Sequence, residues 1–106
     1  MSDWERVRPE LTSGITGKPL VQKGPANMDV TVTRVGPGSA FSRHQDPYGH
    51  VIYVVQGEGE FSLGDDVHPV GPGTFIEVPA GEAHAYRNTG EAAMLLVTVN
   101  VPPAEP

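Results

Sequence analysis

The sequence contains no cysteine, few basic residues and no long hydrophobic run. Without cysteine there can be no disulfide framework, no thiolate nucleophile and no cysteine-bound zinc or iron–sulfur cluster. The formal net charge of -6 disfavours binding to nucleic acid and to anionic membrane surfaces, because both are negatively charged. No apolar run approaches the roughly 20 residues of a membrane span, and the first residues lack the order of a secretory signal. We therefore expect a cytoplasmic protein whose partner is a small molecule.

The chain of 106 residues is long enough for one compact domain and too short for a catalytic domain with a separate regulatory one. It contains 13 glycines and 11 prolines, residues that interrupt helices and end central strands. This composition favours an all-β fold made of many short segments.

A strand pattern begins at residue 29, where the segment DVTVTRV alternates with a period of two. Further β-rich runs follow, separated by turn-forming residues, at about 40–46, 50–56, 58–63, 66–70, 74–79, 83–88 and 93–101. This spacing is typical of sandwiches and barrels.

The segment VGPGS at 35–39 recurs as VGPGT at 70–74. Two copies are too few for a solenoid, so we interpret them as two similar halves around one barrel. The predicted barrel extends over 29–101. An arm over 1–28 would pack on the barrel or on a partner subunit, and 102–106 would form a C-terminal tail.

Two histidines and a carboxylate lie within seven residues of each other. Side chains alternate across a strand, so His44 and Asp46 should point the same way, and His50 has the same parity beyond a predicted bend. His84 follows a turn marked by proline and glycine. A single histidine on a strand is usually an ordinary core or surface residue. Three imidazoles and a carboxylate gathered together are a typical ligand set for Mn, Fe, Ni, Co, Cu or Zn, and we predict a divalent metal site.

Other residues are candidates to line the cavity around this site. Ile52 and Val54 share the parity of His50 and should present apolar surface to a ligand. Tyr86 shares the parity of His84, so its hydroxyl is a candidate for catalysis or substrate binding.

Two charged residues are further candidates. Arg34 lies on the strand that enters the barrel, and a guanidinium is suited to binding a carboxylate or phosphate of a substrate, although an exposed position is more common for it. Glu77 is a candidate general base within the apolar run TFIEVP, although an outward position is more common for such a residue.

Two segments resemble the motifs of the cupin family. Residues at the spacing of the first motif are Gly38, His44, Asp46, His50 and Gly57. Residues at the spacing of the second motif are Gly73, Pro79, Gly81, His84 and Asn88. Asp46 stands where the family usually has a histidine, and His50 stands where it usually has a glutamate.

The resemblance covers about 29–101 and implies a double-stranded β-helix, or jelly-roll barrel. It also implies that His44, His50 and His84 are metal ligands, with Asp46 as the fourth. A metal-dependent enzyme is the function expected, in which the ion acts as a Lewis acid on an oxygenated small molecule. The reaction would be that of an isomerase, cyclase, dehydratase or other lyase.

Three alternatives stay open: a metal-dependent dioxygenase, a non-catalytic cupin that binds a small ligand, and a metal-free acid–base enzyme. The arm and an apolar outer face formed by Val51, Tyr53 and Val55 also indicate a possible homodimer.

Overall fold

A computed structural model describes residues 4–8, 10–24 and 27–102. These residues form nine β-strands, and no helix among them is long and apolar enough to cross a membrane. The strands are β1 (Glu5–Arg6), β2 (Thr12–Val21), β3 (Asp29–His44), β4 (Gly49–Gln56), β5 (Gly59–Leu63), β6 (Asp66–Val70), β7 (Phe75–Val78), β8 (His84–Asn88) and β9 (Met94–Val101). The prediction of an all-β fold is confirmed.

All strand pairs are antiparallel, in the order β6-β5-β8-β3-β9-β4-β7. The 16-residue strand β3 connects the two halves of this arrangement. Its residues 29–35 pair with β9, and its residues 40–44 pair with β8. Strand β3 therefore belongs to both halves, and the functional side chains at its end face the interior between them.

The change of partner in β3 occurs next to the segment 36–38. Gly38 has a φ of 74° there, and Gly73 in the repeated segment has a φ of 90°. Both values lie in the left-handed region, which glycine adopts without the steric cost that other residues have. The repeated sequence thus marks a glycine-dependent change in the chain path in each half.

The core lies between the two halves and follows the alternation of buried and exposed residues along each strand. In β4 the even positions His50, Ile52 and Val54 are buried, whereas Tyr53 and Val55 are exposed. The buried apolar residues are Ile15, Val35, Phe41, Ile52, Val54, Phe61, Val70, Ile76, Val78, Tyr86, Met94 and Leu96.

Asn88 is buried at the end of β8 and holds neighbouring backbone in place. Its Nδ2 donates to Val35 O at 3.0 Å and to Ala92 O at 2.8 Å, and its Oδ1 accepts from Gly90 N at 2.8 Å. Because these bonds satisfy the buried amide, this motif residue has a structural role.

The segment predicted as an arm contains two strands. Strand β2 pairs along β3, from Thr12 opposite Phe41 to Val21 opposite Val30, and β1 pairs with β2. The glycines and proline of TSGITGKPLV obscure this strand in the sequence, yet a proline is tolerated at a sheet edge. Residues 1–3, 9 and 25–26 of the predicted arm and 103–106 of the predicted tail lie outside the described residues.

Candidate metal centre

The four side chains predicted to bind a metal come from three strands and one loop. His44 ends β3, His50 is the second residue of β4, and His84 begins β8. Asp46 lies in the loop between β3 and β4. The ring of His84 is 4.2 Å from that of His44 and 5.1 Å from that of His50, measured between centroids. The structure therefore brings all four together.

An irregularity in β3 turns His44 inward. Up to Phe41, the buried side chains of β3 occupy odd positions such as Thr33, Val35 and Ser39. The register with β8 then shifts between Phe41 and His44. Such a shift changes which positions face the interior, so the even-numbered His44 faces inward although it is only partly buried.

Asp46 reaches the site for a different reason from the one predicted. It lies beyond the end of β3, so strand alternation does not orient it. Its backbone carbonyl accepts a hydrogen bond from Gly81 N at 2.8 Å, which ties its loop to the turn before β8. Asp46 thus lies beside the histidines, but the explanation from strand parity was wrong.

One carboxylate oxygen is central to the site. Asp46 Oδ2 lies 3.3 Å from His44 Nε2, 2.9 Å from His50 Nε2 and 3.8 Å from His84 Nε2. Two donors bound to one ion at about 2.0–2.2 Å each can be no more than about 4.4 Å apart. The donor atoms of His44, Asp46 and His84 also lie within 4.8 Å of one another. The three distances from Asp46 Oδ2 lie within the limit for one ion. The group whose donor atoms all lie near one another is His44, Asp46 and His84, without His50, and these three fit ligands of a single ion.

Backbone carbonyls fix the protonated nitrogen of two histidines. His44 Nδ1 donates to Ser42 O at 2.7 Å, and His84 Nδ1 donates to Glu82 O at 2.9 Å. A carbonyl oxygen only accepts, so the neutral rings carry their proton on Nδ1 and direct the lone pair of Nε2 toward the centre. This outer hydrogen bond is typical of metal-binding histidines.

The third histidine has an amide partner. His50 Nδ1 lies 2.8 Å from Asn100 Oδ1, on the neighbouring strand β9, where the two residues are register partners. An asparagine amide can accept from this nitrogen or, after rotation, donate to it, so Asn100 is compatible with either tautomer of His50.

The centre of this cluster therefore contains mainly hydrogen-bond acceptors. The Nε2 lone pairs of His44 and His84 face a carboxylate oxygen, an arrangement that is repulsive without a cation. A bound cation removes this repulsion, and imidazole with carboxylate suits first-row divalent ions. The residues present fit a divalent metal ion.

Arg8 is a member of the site that the sequence analysis did not identify. Its Nη1 donates to Asp46 Oδ1 at 2.9 Å. Burial raises the pKa of Asp46, but hydrogen bonds from His50 and Arg8 together outweigh it and hold this pKa below its usual value. Asp46 therefore remains a carboxylate at neutral pH. No pattern in the arm distinguishes Arg8 from the other basic residues there.

His84 is held in its neutral form. Burial lowers its pKa, and the neighbouring His44 and His50 add to this effect, against the opposing bond to Glu82 O. A neutral imidazole is the form that binds metal ions.

A cavity of about 160 Å³ adjoins the cluster. In addition to the metal-site residues, its lining includes Val7, Arg8, Thr31, Thr33, Phe41, Tyr48, Ile52, Tyr86, Thr98 and Asn100. Burial raises the pKa of Tyr86, so its hydroxyl keeps its proton. Ile52 and Tyr86, two of the candidate cavity residues, therefore line this cavity.

Three other candidates lie elsewhere. Val54 faces inward but is fully buried in the core, away from the cavity lining. Arg34 is exposed, because the odd positions of this part of β3 face inward. Glu77 is also exposed, because Ile76 and Val78 are the inward residues of β7. The interpretations of Val54 and Arg34 as substrate-binding residues and of Glu77 as a general base are therefore corrected.

Residues 31–100 match the family profile of the cupin domain. The chain belongs to the cupin family. A relative of this cupin, protein SchB from Streptomyces halstedii, is 38% identical over 71 residues, which cover 66% of this chain and 50% of SchB. This cupin therefore aligns with only half the length of SchB.

Solved structures support the same fold. The polyketide cyclase RemF from Streptomyces resistomycificus has a TM-score of 0.85 and 26% identity, covering 99% of this chain and 77% of RemF. A predicted oxalate decarboxylase from Thermotoga maritima has a TM-score of 0.83 and 21% identity, covering 97% of this chain and 93% of that one. The predicted jelly-roll barrel is confirmed.

Proposed function

We propose that this cupin is a metal-dependent enzyme whose three central histidines and Asp46 hold a divalent ion, and that it cyclises or isomerises an oxygen-rich small molecule. The observation that carries the proposal is the convergence of three Nε2 atoms on Asp46 Oδ2. Two of these rings are fixed by carbonyl oxygens with their lone pairs inward. Such a donor set has little use in a cavity unless it binds a cation.

Cyclisation is favoured by the relative RemF, which is described as a polyketide cyclase and aligns over 99% of this chain at 26% identity. In an intramolecular aldol cyclisation, a carbon between two carbonyl groups loses a proton and bonds to another carbonyl carbon, whose oxygen gains a proton. A divalent ion bound at the site would supply Lewis acidity to a carbonyl oxygen.

The side chains of this cupin would position the reacting segment. The Tyr86 hydroxyl keeps its proton and would donate a hydrogen bond to a substrate carbonyl. Phe41 and Ile52 line the same cavity and would exclude water, which strengthens electrostatic interactions inside it. The small volume would hold the reacting part of a longer chain in a folded arrangement.

A second candidate function is metal-free acid–base catalysis. It is favoured by the distance of 2.9 Å between His50 Nε2 and Asp46 Oδ2. The negative charge of this carboxylate can stabilise the imidazolium that forms when a histidine of the cluster accepts a proton from a substrate.

The test is turnover of linear 1,3,5-triketones by protein that has been stripped with a chelator and then reconstituted with Mn, Fe, Co, Ni, Cu or Zn. Ring formation would be followed by chromatography and mass spectrometry. We expect activity to return with at least one ion, to be lost in His84→Ala, and to persist in His68→Ala, which changes an exposed histidine. Full turnover in the stripped protein would support acid–base catalysis instead.

A further inference from the structure

Two strands of the barrel carry their polar and apolar residues on the opposite sides from those expected. In β3, Thr31 and Thr33 line the cavity while the intervening Val32 lies on the outer side. In β9, Thr98 lines the cavity between two outward valines. Strands that cover a core usually direct valine inward and threonine outward. This inversion removes apolar surface from the interior, so a packing role alone does not explain it.

Thr31, Thr33 and Thr98, here called the threonine face, form one continuous surface. Thr31 and Thr98 are register partners on β3 and β9, and Thr98 is also paired with Ile52 on β4. Thr33 follows two positions along β3 and is only 5% exposed. The three hydroxyl-bearing side chains thus project from adjacent positions of one sheet.

The hydroxyls of the threonine face are available to a ligand. None of the side-chain hydrogen bonds formed within 4–8, 10–24 and 27–102 involves them. No fully buried side-chain oxygen or nitrogen in those ranges lacks a partner. The hydroxyls therefore open onto the cavity, where each can donate and accept a hydrogen bond.

The other half of the barrel supplies flat apolar surface. Phe41 and Tyr86 have ring centroids 5.3 Å apart, and His44 stacks on Phe41 at 4.2 Å. The cavity volume of about 160 Å³ is close to that of an engineered cavity of about 150 Å³ that binds benzene. The space therefore suits one six-membered ring.

We propose that the threonine face is the recognition surface for a flat, ring-sized ligand that carries oxygen substituents on one edge, such as a dihydroxybenzene or a cyclic 1,3-diketone. This inference rests on the proposed function in that it names the substrate class of the same cavity. The threonine hydroxyls bond the substituent oxygens, and the aromatic rings of the other half contact the face of the ligand.

The experiment measures binding of 1,3-dihydroxybenzene and of benzene by NMR titration, in chelated protein and in protein loaded with Zn. We expect Thr31→Val and Thr98→Val each to weaken binding of 1,3-dihydroxybenzene by about three- to tenfold, the effect of one lost hydrogen bond. Benzene binding should not weaken, because valine keeps the volume of threonine. Thr98→Ser, which keeps the hydroxyl, and the exposed control Thr89→Val should bind like the wild type.

The proposal is overturned if the wild type shows no saturable binding of 1,3-dihydroxybenzene, or if both valine variants bind it as the wild type does. Equal loss of benzene and 1,3-dihydroxybenzene would also overturn it, because that result would indicate a collapsed cavity. Metal content measured on the same samples separates the two claims. Ring binding without metal uptake would contradict the proposed function alone, and metal uptake without ring binding would contradict the threonine face alone.

Discussion

Individual side chains at the candidate metal centre are oriented by bonds made on the sides that face away from it. Ser42 O and Glu82 O each accept a hydrogen bond from the histidine two residues later in the chain. The same local hydrogen bond therefore orients both His44 and His84. Arg8 donates a hydrogen bond to Asp46 Oδ1, and the other carboxylate oxygen, Oδ2, faces the histidines. These contacts set tautomer and orientation before any ligand binds.

The pairing with Arg8 predicts how Asp46 responds to acid in the metal-free protein. Because the folded-state pKa of Asp46 is lowered, the unfolded chain binds its proton first as pH falls. The stabilisation by this carboxylate is thus present above its ordinary pKa of about 3.9 and is lost as pH falls through the folded value. Arg8→Ala should raise the Asp46 pKa, as measured by NMR titration of the carboxyl carbon.

The matched control is Arg34→Ala, which removes an exposed arginine elsewhere on β3. It should leave the Asp46 titration unchanged. A wild-type titration in Arg8→Ala would show that this guanidinium does not stabilise the carboxylate.

Strand β9 lies inside the sheet, where it pairs with both β3 and β4. Its Leu96 is 1% exposed and contacts the core from the middle of the strand. Leu96→Ala should lower the free energy of unfolding by about 2–5 kcal/mol, because it removes buried methyl groups and leaves a cavity. Urea unfolding of the chelated protein measures this change.

Val67→Ala is the comparison, since Val67 is 58% exposed on β6. Its effect should stay within about 0.5 kcal/mol. Similar losses for both variants would contradict the assignment of Leu96 to the core.

Most strands could be predicted from the alternation of polar and apolar residues along the sequence. This pattern can be recognised without knowing which face of the strand is buried. The strand that begins at Asp29 was found in this way, and so was the inward set of β4. Alternation does not by itself identify the inner face. In the strand that begins at Asp29, the face with Thr31 and Thr33 lines the cavity, whereas Arg34 on the other face is exposed.

Features that depend on long-range contacts were not predictable. The shift of register between Phe41 and His44 arises from pairing with β8, and no local residue signals it. Arg8 and Asp46 are 38 residues apart, so their ion pair follows only from the path of the arm. The histidine cluster was predictable because motif spacing carries the geometry of the whole barrel.

At the scale of the whole molecule, the outward valines of β3 and β9 contribute to an apolar outer surface. The outward apolar residues of neighbouring strands, here called the outer face, are Val30, Val32, Val51, Tyr53, Val55, Phe75, Val97 and Val99. Tyr53 and Phe75 are register partners and are 46% and 62% exposed. Val55 is also exposed, whereas the other members are partly buried. An outward apolar surface of this kind is typical of interfaces.

We predict that this face pairs with a second copy of the chain. Light scattering after size-exclusion chromatography should give twice the chain mass of 11.3 kDa. Tyr53→Glu should give monomers, because a charge buried in an apolar interface is unfavourable. Val67→Glu, on the separate strand β6, should remain dimeric. A monomeric wild type, or a dimeric Tyr53→Glu, would contradict the prediction.

The metal site is tested most directly by measuring metal content with inductively coupled plasma mass spectrometry, after reconstitution with each of the six first-row ions and removal of excess metal. We expect about one ion per chain in the wild type and in His68→Ala, and a large loss in His84→Ala and in Asp46→Asn, because both remove a ligand. Metal retained at the wild-type level in His84→Ala, or none bound by the wild type with any ion, would contradict the proposed metal site.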